Sequence, residues 1–387
     1  MQHNKINILL ITETPPGTAN GFGVTLKCLF KYLKHCVVFT DHAFLKEKIN
    51  SEYIHAQVPY HRSKKNLLSL LIGRIPEWRG FYSKLWLKRN IKQNFDVLYS
   101  FIYSTDCLLF SSWVSKNLNL PITVHIADHC ESFKRKKISD IITNCTNLVC
   151  ITDEMREEYM RVFKRDDIHV IHNGAEKKCF LTDSQVTNSH AEYNFNHHNP
   201  FILCFLGGLF KDLHDESIED IFRSVSELRK KFPFLEFHLY GQIQPHNFLD
   251  ELLTLDGIFH HGIVMPLNMK YEIMQKAHCF VIPSSFNSNK NINYRFSFPT
   301  KLPEFIATGK PIISYGPITT ATNRFLENHQ IGHRITNRSI ENLCVLISNL
   351  ILNYNSNLDK ASRNQMNVAK IISASESRKK MHDLLFS

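Results

Sequence analysis

The richest chemistry in this chain lies in the run Phe298-Pro-Thr-Lys-Leu-Pro-Glu-Phe-Ile-Ala-Thr-Gly-Lys-Pro-Ile-Ile313. Pro299 suits the first turn of a helix. Leu302, Phe305 and Ile306 fall at i, i+3 and i+4 and give that helix an apolar back, with Lys301 and Glu304 opposite. Gly309 can take the left-handed conformation that ends a helix, Pro311 prevents continuation, and Ile312-Ile313 start a short buried strand. An anion can sit at such a helix N-terminus, and a carboxylate one turn in can accept hydrogen bonds from sugar hydroxyls. A solvated Lys301–Glu304 ion pair is the structural alternative.

Three further groups carry candidate chemistry. Gly21-Phe22-Gly23 follows a strand and opens a helix, so its amides can approach a phosphate or an acceptor group without obstruction. It is not a full dinucleotide fingerprint, because Leu26 stands where a third glycine belongs. His125 and Asp128 stand at the C-terminal end of a predicted strand, where functional groups collect in open α/β sheets. With His129 they also read as metal ligands, but a fourth ligand is missing and no metal is expected. Lys211 follows the Gly207-Gly208 turn and is either an anion contact or an ordinary surface residue.

Strand candidates alternate with helical patterns throughout. Asn7 to Ile11, Cys36 to Thr40, Phe95 to Tyr99, Ile122 to Ile126, Leu148 to Ile151 and Ile168 to Ile171 are expected in one half, with a helix from about Val24 to Leu33. Phe201 to Leu206, Glu236 to Tyr240, Gly257 to His260 and Cys279 to Ile282 are expected in the other, with a helix over Ser217 to Phe232. This alternation implies parallel sheets covered on both faces. The polar stretch 183–199 reads as a linker, so the expected layout is residues 1–182, the linker, residues 200–372 and a terminal segment 373–387.

At 387 residues the chain exceeds one ordinary core. Its net charge of +10 favours an acidic partner or an anionic membrane surface. No zinc finger, RNA-recognition strand pair or basic zipper accompanies that charge, so no nucleic acid is expected. Ten scattered cysteines without a Cys-x-x-Cys pair suit reduced thiols in the cytoplasm. The apolar run before Glu13 is too short for a signal peptide, and no span reaches the ~18 apolar residues of a transmembrane helix. Membrane contact is therefore expected to be peripheral. The stretch from His61 to Lys92 is its best candidate, combining Arg74, Arg79, Lys84 and Lys88 with Trp78, Phe81, Tyr82 and Trp86. A helix pair with a solvated face explains the same pattern.

The Phe-Pro-x-Lys-x-x-Glu-x-x-Ala-x-Gly-x-Pro string resembles the nucleotide-binding segment of retaining GT-B glycosyltransferases, the glycosyl transferases group 1 type found among bacterial surface-polysaccharide enzymes. The Pro15-Pro16 loop with Gly21 and Gly23, Ile151-Thr-Asp-Glu-Met155, Ile171-His-Asn-Gly174 and Val281-Ile-Pro-Ser-Ser285 extend the resemblance. It implies two Rossmann-like domains facing a central cleft, the first for the acceptor and the second for a nucleotide-diphosphate sugar, with a C-terminal helix from about Glu376 to Phe386 crossing back to the first. It implies that Glu304 grips the ribose, that amides near Pro299, Thr300 and Lys301 approach the diphosphate, and that Tyr240, Gly241 and Ile263 lie where the base is seated. It places His125 beside the transferred sugar. Lys211 matches half of an Arg–Lys pair whose Arg is absent, with Lys301 or Arg295 as compensation. Phe296 stands where relatives carry a first Glu, leaving Asn293, Tyr294 and Arg295 as substitutes. The implied reaction moves a sugar to a surface glycan or lipid-linked acceptor with retention and without a metal or other cofactor. A nucleotide-sugar epimerase would need paired acid and base residues that are not evident, and a non-catalytic membrane- or glycan-binding scaffold would keep the fold without turnover.

Overall fold

The computed structural model describes residues 7–14, 16–17, 21–30, 35–38, 54–57, 94–180, 193–210, 213–244, 247–264, 267–287 and 295–386. The chain forms two compact units, Met1–His172 with Arg378–Ser387, and Asn173–Ser377. Lys211, Asn293, Tyr294, the stretch from His61 to Lys92 and residues 183–192 of the expected linker lie outside the described residues.

The first unit is built on a seven-stranded parallel sheet in the order β3-β2-β1-β4-β5-β6-β7. Its strands are β1 (Ile8–Thr12), β2 (His35–Val38), β3 (Ile54–Gln57), β4 (Val97–Ile102), β5 (Ile122–Ile126), β6 (Asn147–Cys150) and β7 (Ile168–Val170). Every residue of β4 and β5 is buried, as parallel strands covered on both faces require. Leu10 pairs with Cys36 on one side and Tyr99 on the other, so β1 is an interior strand. Leu10, Leu26, Tyr99, Phe101 and Val149 share a core with Met381 and Leu384 of the last helix, Ala374–Phe386. The Arg378 guanidinium of that helix donates to the Cys28 carbonyl at 2.7 Å.

The second unit carries six parallel strands in the order β10-β9-β8-β11-β12-β13. They are β8 (Phe201–Leu206), β9 (Leu235–Tyr240), β10 (Ile258–His260), β11 (Cys279–Pro283), β12 (Ile312–Tyr315) and β13 (His333–Ile335). Phe222, Val225 and Leu228 of the helix Asp215–Arg229 pack on Phe201, Leu203 and Phe237 of this sheet. In each sheet the order reverses once, between β1 and β4 and between β8 and β11. Open α/β sheets bind ligands outside the carboxyl ends of strands at such a reversal.

Two local expectations are corrected. The first helix runs Gly21–Leu29 and not from Val24, because the Gly17 amide donates to the Gly23 carbonyl at 2.7 Å and Thr25 bonds back to Gly21 at 2.9 Å. The helix of the 298–313 run starts at Leu302, with Lys301 at its N-cap and Pro303 as its first-turn proline. Pro299 lies in the preceding turn, its carbonyl accepting from Leu302 at 2.9 Å. Gly309, at φ 63°, follows the end of that helix as expected.

Candidate functional site

In the second unit, the helix Leu302–Ala307 is buried on every side, so Glu304 does not belong to the solvated Lys301–Glu304 pair that was the structural alternative. Phe305 anchors it by stacking on Phe280 of β11, centroids 4.2 Å apart. Glu304 is 6 % exposed, and its partner is Lys270, whose Nζ donates to Oε1 at 2.6 Å from the helix Leu267–Lys276. Two charges this dry persist because each satisfies the other. Burial pulls the Lys301 ammonium below its ordinary value, Glu304 opposes that pull, and Lys270 adds to it. Lys270 was not read from the sequence, where it is an ordinary helical lysine. Phe296 is 1 % exposed, so the position at which the resembled glycosyltransferases carry a first Glu is an apolar core position here. Arg295 lies over its ring at 5.3 Å.

The strand ends beside this helix are shaped by close backbone contacts. Gly241, at φ 149°, would place a Cβ 2.0 Å from the Gly207 carbonyl oxygen, so only glycine lets the ends of β8 and β9 meet. Its amide donates to the Gly262 carbonyl at 2.7 Å. The Tyr240 ring is stacked on His261 at 4.4 Å, and His260 Nε2 donates to the Gly241 carbonyl at 2.9 Å. Ile263 is 63 % exposed just beyond. Tyr240, Gly241 and Ile263 thus share the carboxyl edge of β9 and β10. At the sheet reversal, Ser285 follows β11 and its hydroxyl donates to Glu216 at 2.5 Å, while the Asn287 amide donates to the same oxygen at 2.8 Å.

In the first unit, His125 is fully buried as the penultimate residue of β5. The Tyr99 hydroxyl, which burial holds protonated, is hydrogen-bonded to Nδ1 at 2.8 Å, and among the described residues Nε2 has no partner. Burial pulls the imidazole down to about 3, so His125 is neutral and its Nε2 is a buried polar atom left unsatisfied among the described residues. Asp128 lies just past the strand. Burial pushes its carboxyl up to about 6, against one hydrogen bond from the His129 amide at 2.9 Å. His129 itself is held by the Tyr159 hydroxyl and the Glu131 carboxylate, both at 3.1 Å, which is the arrangement of a structural residue.

Gly21 and Phe22 form the first turn of their helix, and Phe22 stacks on Tyr103 at 4.6 Å. Glu13, not singled out from the sequence, sits beside them at the reversal with its carboxylate bonded to Tyr103 and Ser104. The signal available was its position, a carboxylate directly after a strand and before Pro15-Pro16. Gly21, Phe22, Gly23, His125 and Asp128 therefore gather in the first unit, and the described members of the remaining set gather in the second.

Residues 200–353 match the family model described as Glycosyl transferases group 1. That stretch contains β8 to β13 and the helix with Glu304. No curated protein matches the chain. Among solved structures, Alr3699/HepE of Anabaena in complex with UDP and glucose is 13% identical, with 99% of this chain and 100% of that one covered at a TM-score of 0.72. A glycosyltransferase of Rickettsia africae is 15% identical over 99% of this chain and 98% of its own, at 0.66. The lipopolysaccharide outer core galactosyltransferase WaaB is 15% identical over 98% and 99%, at 0.61. At these identities the likeness is one of fold, and that fold is GT-B, an α/β architecture of two parallel-sheet domains. No helix among the described residues is long and apolar enough to cross a membrane.

Proposed function

We propose that this protein is a glycosyltransferase of the group 1 type, moving a sugar with retention from a nucleotide-diphosphate sugar to a glycan or lipid-linked acceptor. The observation that carries the reading is the family match over 200–353, the segment in which Glu304 is buried and oriented by Lys270. Complexes of HepE with UDP-glucose and with UDP and glucose add support from the same fold.

On this reading Glu304 accepts the ribose hydroxyls, and Lys270 fixes one carboxylate oxygen so that the other faces the ligand. Backbone amides near Pro299, Thr300 and Lys301, with Lys211, balance the charge that builds on the departing diphosphate. The C1–O bond to the diphosphate breaks as the acceptor oxygen bonds C1 on the same face, and the acceptor proton goes to the leaving phosphate. His125 is too weak a base to take that proton. Its neutral imidazole offers Nε2 to a hydroxyl of the transferred sugar, and Asp128, just past the same strand, is the second side chain assigned to that sugar. Tyr240, Gly241 and Ile263 receive the base.

The decisive experiment is a screen of purified protein against nucleotide sugars with mass detection of products. Glu304→Ala is expected to weaken donor binding by the ~1.5–3 kcal/mol of a charged hydrogen bond, read by calorimetry with the donor found. Unchanged affinity in a folded variant removes Glu304 from the site. Because amides and lysines carry the diphosphate here, transfer is expected to persist in excess chelator, and activity that returns only with added divalent metal contradicts that arrangement.

A further inference from the structure

Glu13 is the first residue past β1, at the point where the first sheet reverses its strand order. Its side chain spans that reversal. Oε2 accepts the backbone N–H groups of Tyr103 at 2.9 Å and Ser104 at 3.1 Å, both just past β4, and Oε1 takes the Ser104 hydroxyl. Ser104 is also the N-cap of the helix Thr105–Leu118, its Oγ facing the Cys107 amide at 3.5 Å. A serine cap alone meets the needs of a helix start. The buried carboxylate, 8 % exposed, exceeds them, and what it adds is a tie between two strand ends.

The tie continues to the glycine-rich turn. Thr14 Oγ1 lies 3.3 Å from the Tyr103 hydroxyl, and the Tyr103 ring is stacked on Phe22 with the planes 15° apart. Phe22 stands in the first turn of the helix Gly21–Leu29, and the Gly23 carbonyl of that turn accepts from Gly17. Burial raises the Glu13 carboxyl above its ordinary value, Asp106 adds to this, and the Tyr103 and Ser104 donors oppose it. Protonation would cost Oε1 or Oε2 its role as an anionic acceptor, so the tie belongs to the ionised form.

We propose that Glu13 is a positioning residue, holding Tyr103, Phe22 and the glycine turn in the geometry that sugar transfer requires at the reversal of the first sheet. This rests on the glycosyltransferase reading above, and the test separates the two. With tyrosines selectively labelled with 15N, the Tyr103 amide resonance is expected to move with pH in the wild type and to be displaced and pH-insensitive in Glu13→Gln. An unmoved Tyr103 amide overturns the tie. In the transfer assay Glu13→Gln is expected to lower kcat about tenfold while nucleotide affinity, read by calorimetry, stays within about twofold, because Glu304 is untouched. Wild-type kcat in the variant overturns the positioning role, and so does an equal loss in nucleotide affinity and kcat. Should Glu13→Gln not fold, Tyr103→Ala, which keeps the amide bonds and removes the ring, is expected to give the same fall in kcat, and full turnover overturns the proposal. A wild-type protein that transfers no sugar sinks the glycosyltransferase reading and this role with it, while the Tyr103 amide still decides whether the tie exists.

Discussion

At the residue scale, Asp128 and Glu304 show how one side-chain chemistry takes two characters from its surroundings. Glu304 has a lysine 2.6 Å away, whereas Asp128 is bonded among the described residues by the neighbouring His129 amide, so burial dominates and its carboxyl rises from 3.8 to about 6. The folded chain then binds a proton that the unfolded chain releases between those two values. The stabilising contribution is complete below the unfolded value and is lost as pH rises through about 6. Asp128→Asn, neutral throughout, is therefore expected to gain about 2 kcal/mol on the wild type between pH 4 and pH 8. Thermal unfolding at both pH values measures it, and an equal difference at the two ends shows that the carboxylate is not desolvated. Glu304 was legible because its neighbours form a long string in one stretch of chain. Lys270 was not, since it lies 34 residues away and only packing brings the ammonium to the carboxylate. His125 was legible as a position but not in its state, because full burial beside Tyr99 comes from β4 and β5 lying side by side.

At the scale of elements, the strands read best from the sequence are those with both faces covered. β5 and β8 fall on the stretches expected, since Ile122 to Ile126 and Phe201 to Leu206 are near-continuous apolar runs. β3 and β13 are edge strands with the sequences Ile-His-Ala-Gln and His-Arg-Ile, too short and polar to announce themselves. Long-range polar ties escape the sequence for a related reason. Asp220, in the helix Asp215–Arg229, receives both arms of the Arg338 guanidinium at 2.7 and 2.8 Å and the Tyr315 hydroxyl at 2.8 Å, while the Ser339 amide donates to that hydroxyl at 2.9 Å. The cluster locks the end of β12 and the start of the helix Ile340–Leu352 to the helix Asp215–Arg229. The Asp220 side chain is 3 % exposed and that of Arg338 is 51 % exposed, so losing the cation strands a buried carboxylate while removing little packing. Arg338→Ala is expected to cost about 2 kcal/mol, short of the ~3–5 kcal/mol for breaking a fully buried pair. Urea unfolding followed at residues of the second unit checks this, and Asp220→Asn made in the Arg338→Ala background should recover part of the loss.

At the scale of the whole molecule, the +10 net charge is the property least explained by either sheet. The described ion pairs are mostly local and neutralise themselves, such as Arg165 with Asp167 and Arg223 with Glu219. Much of the excess sits instead in the stretch from His61 to Lys92, where Arg62, Lys64, Lys65, Arg74, Arg79, Lys84, Lys88, Arg89 and Lys92 occur without a single aspartate and with Glu77 alone among glutamates. A sequence that mixes aromatic and leucine residues with such cations is of the kind that can enter an anionic headgroup layer, its cations meeting lipid phosphate. On the function proposed above, an acceptor carried on a lipid would give such contact a purpose, by holding the protein where that acceptor is. Binding to anionic vesicles is accordingly expected to exceed binding to neutral ones and to weaken as salt rises from 0.05 to about 0.5 M, because exposed charges are screened within ~10 Å at 0.1 M. Co-sedimentation across that salt range, with Trp78 and Trp86 fluorescence as a report on insertion, separates the two contributions. Replacing Lys84, Lys88 and Arg89 together by glutamine should remove the salt-sensitive part and leave the apolar part. Equal partitioning of the wild type to anionic and neutral vesicles at every salt concentration would return this segment to its alternative, a pair of helices with a solvated basic face.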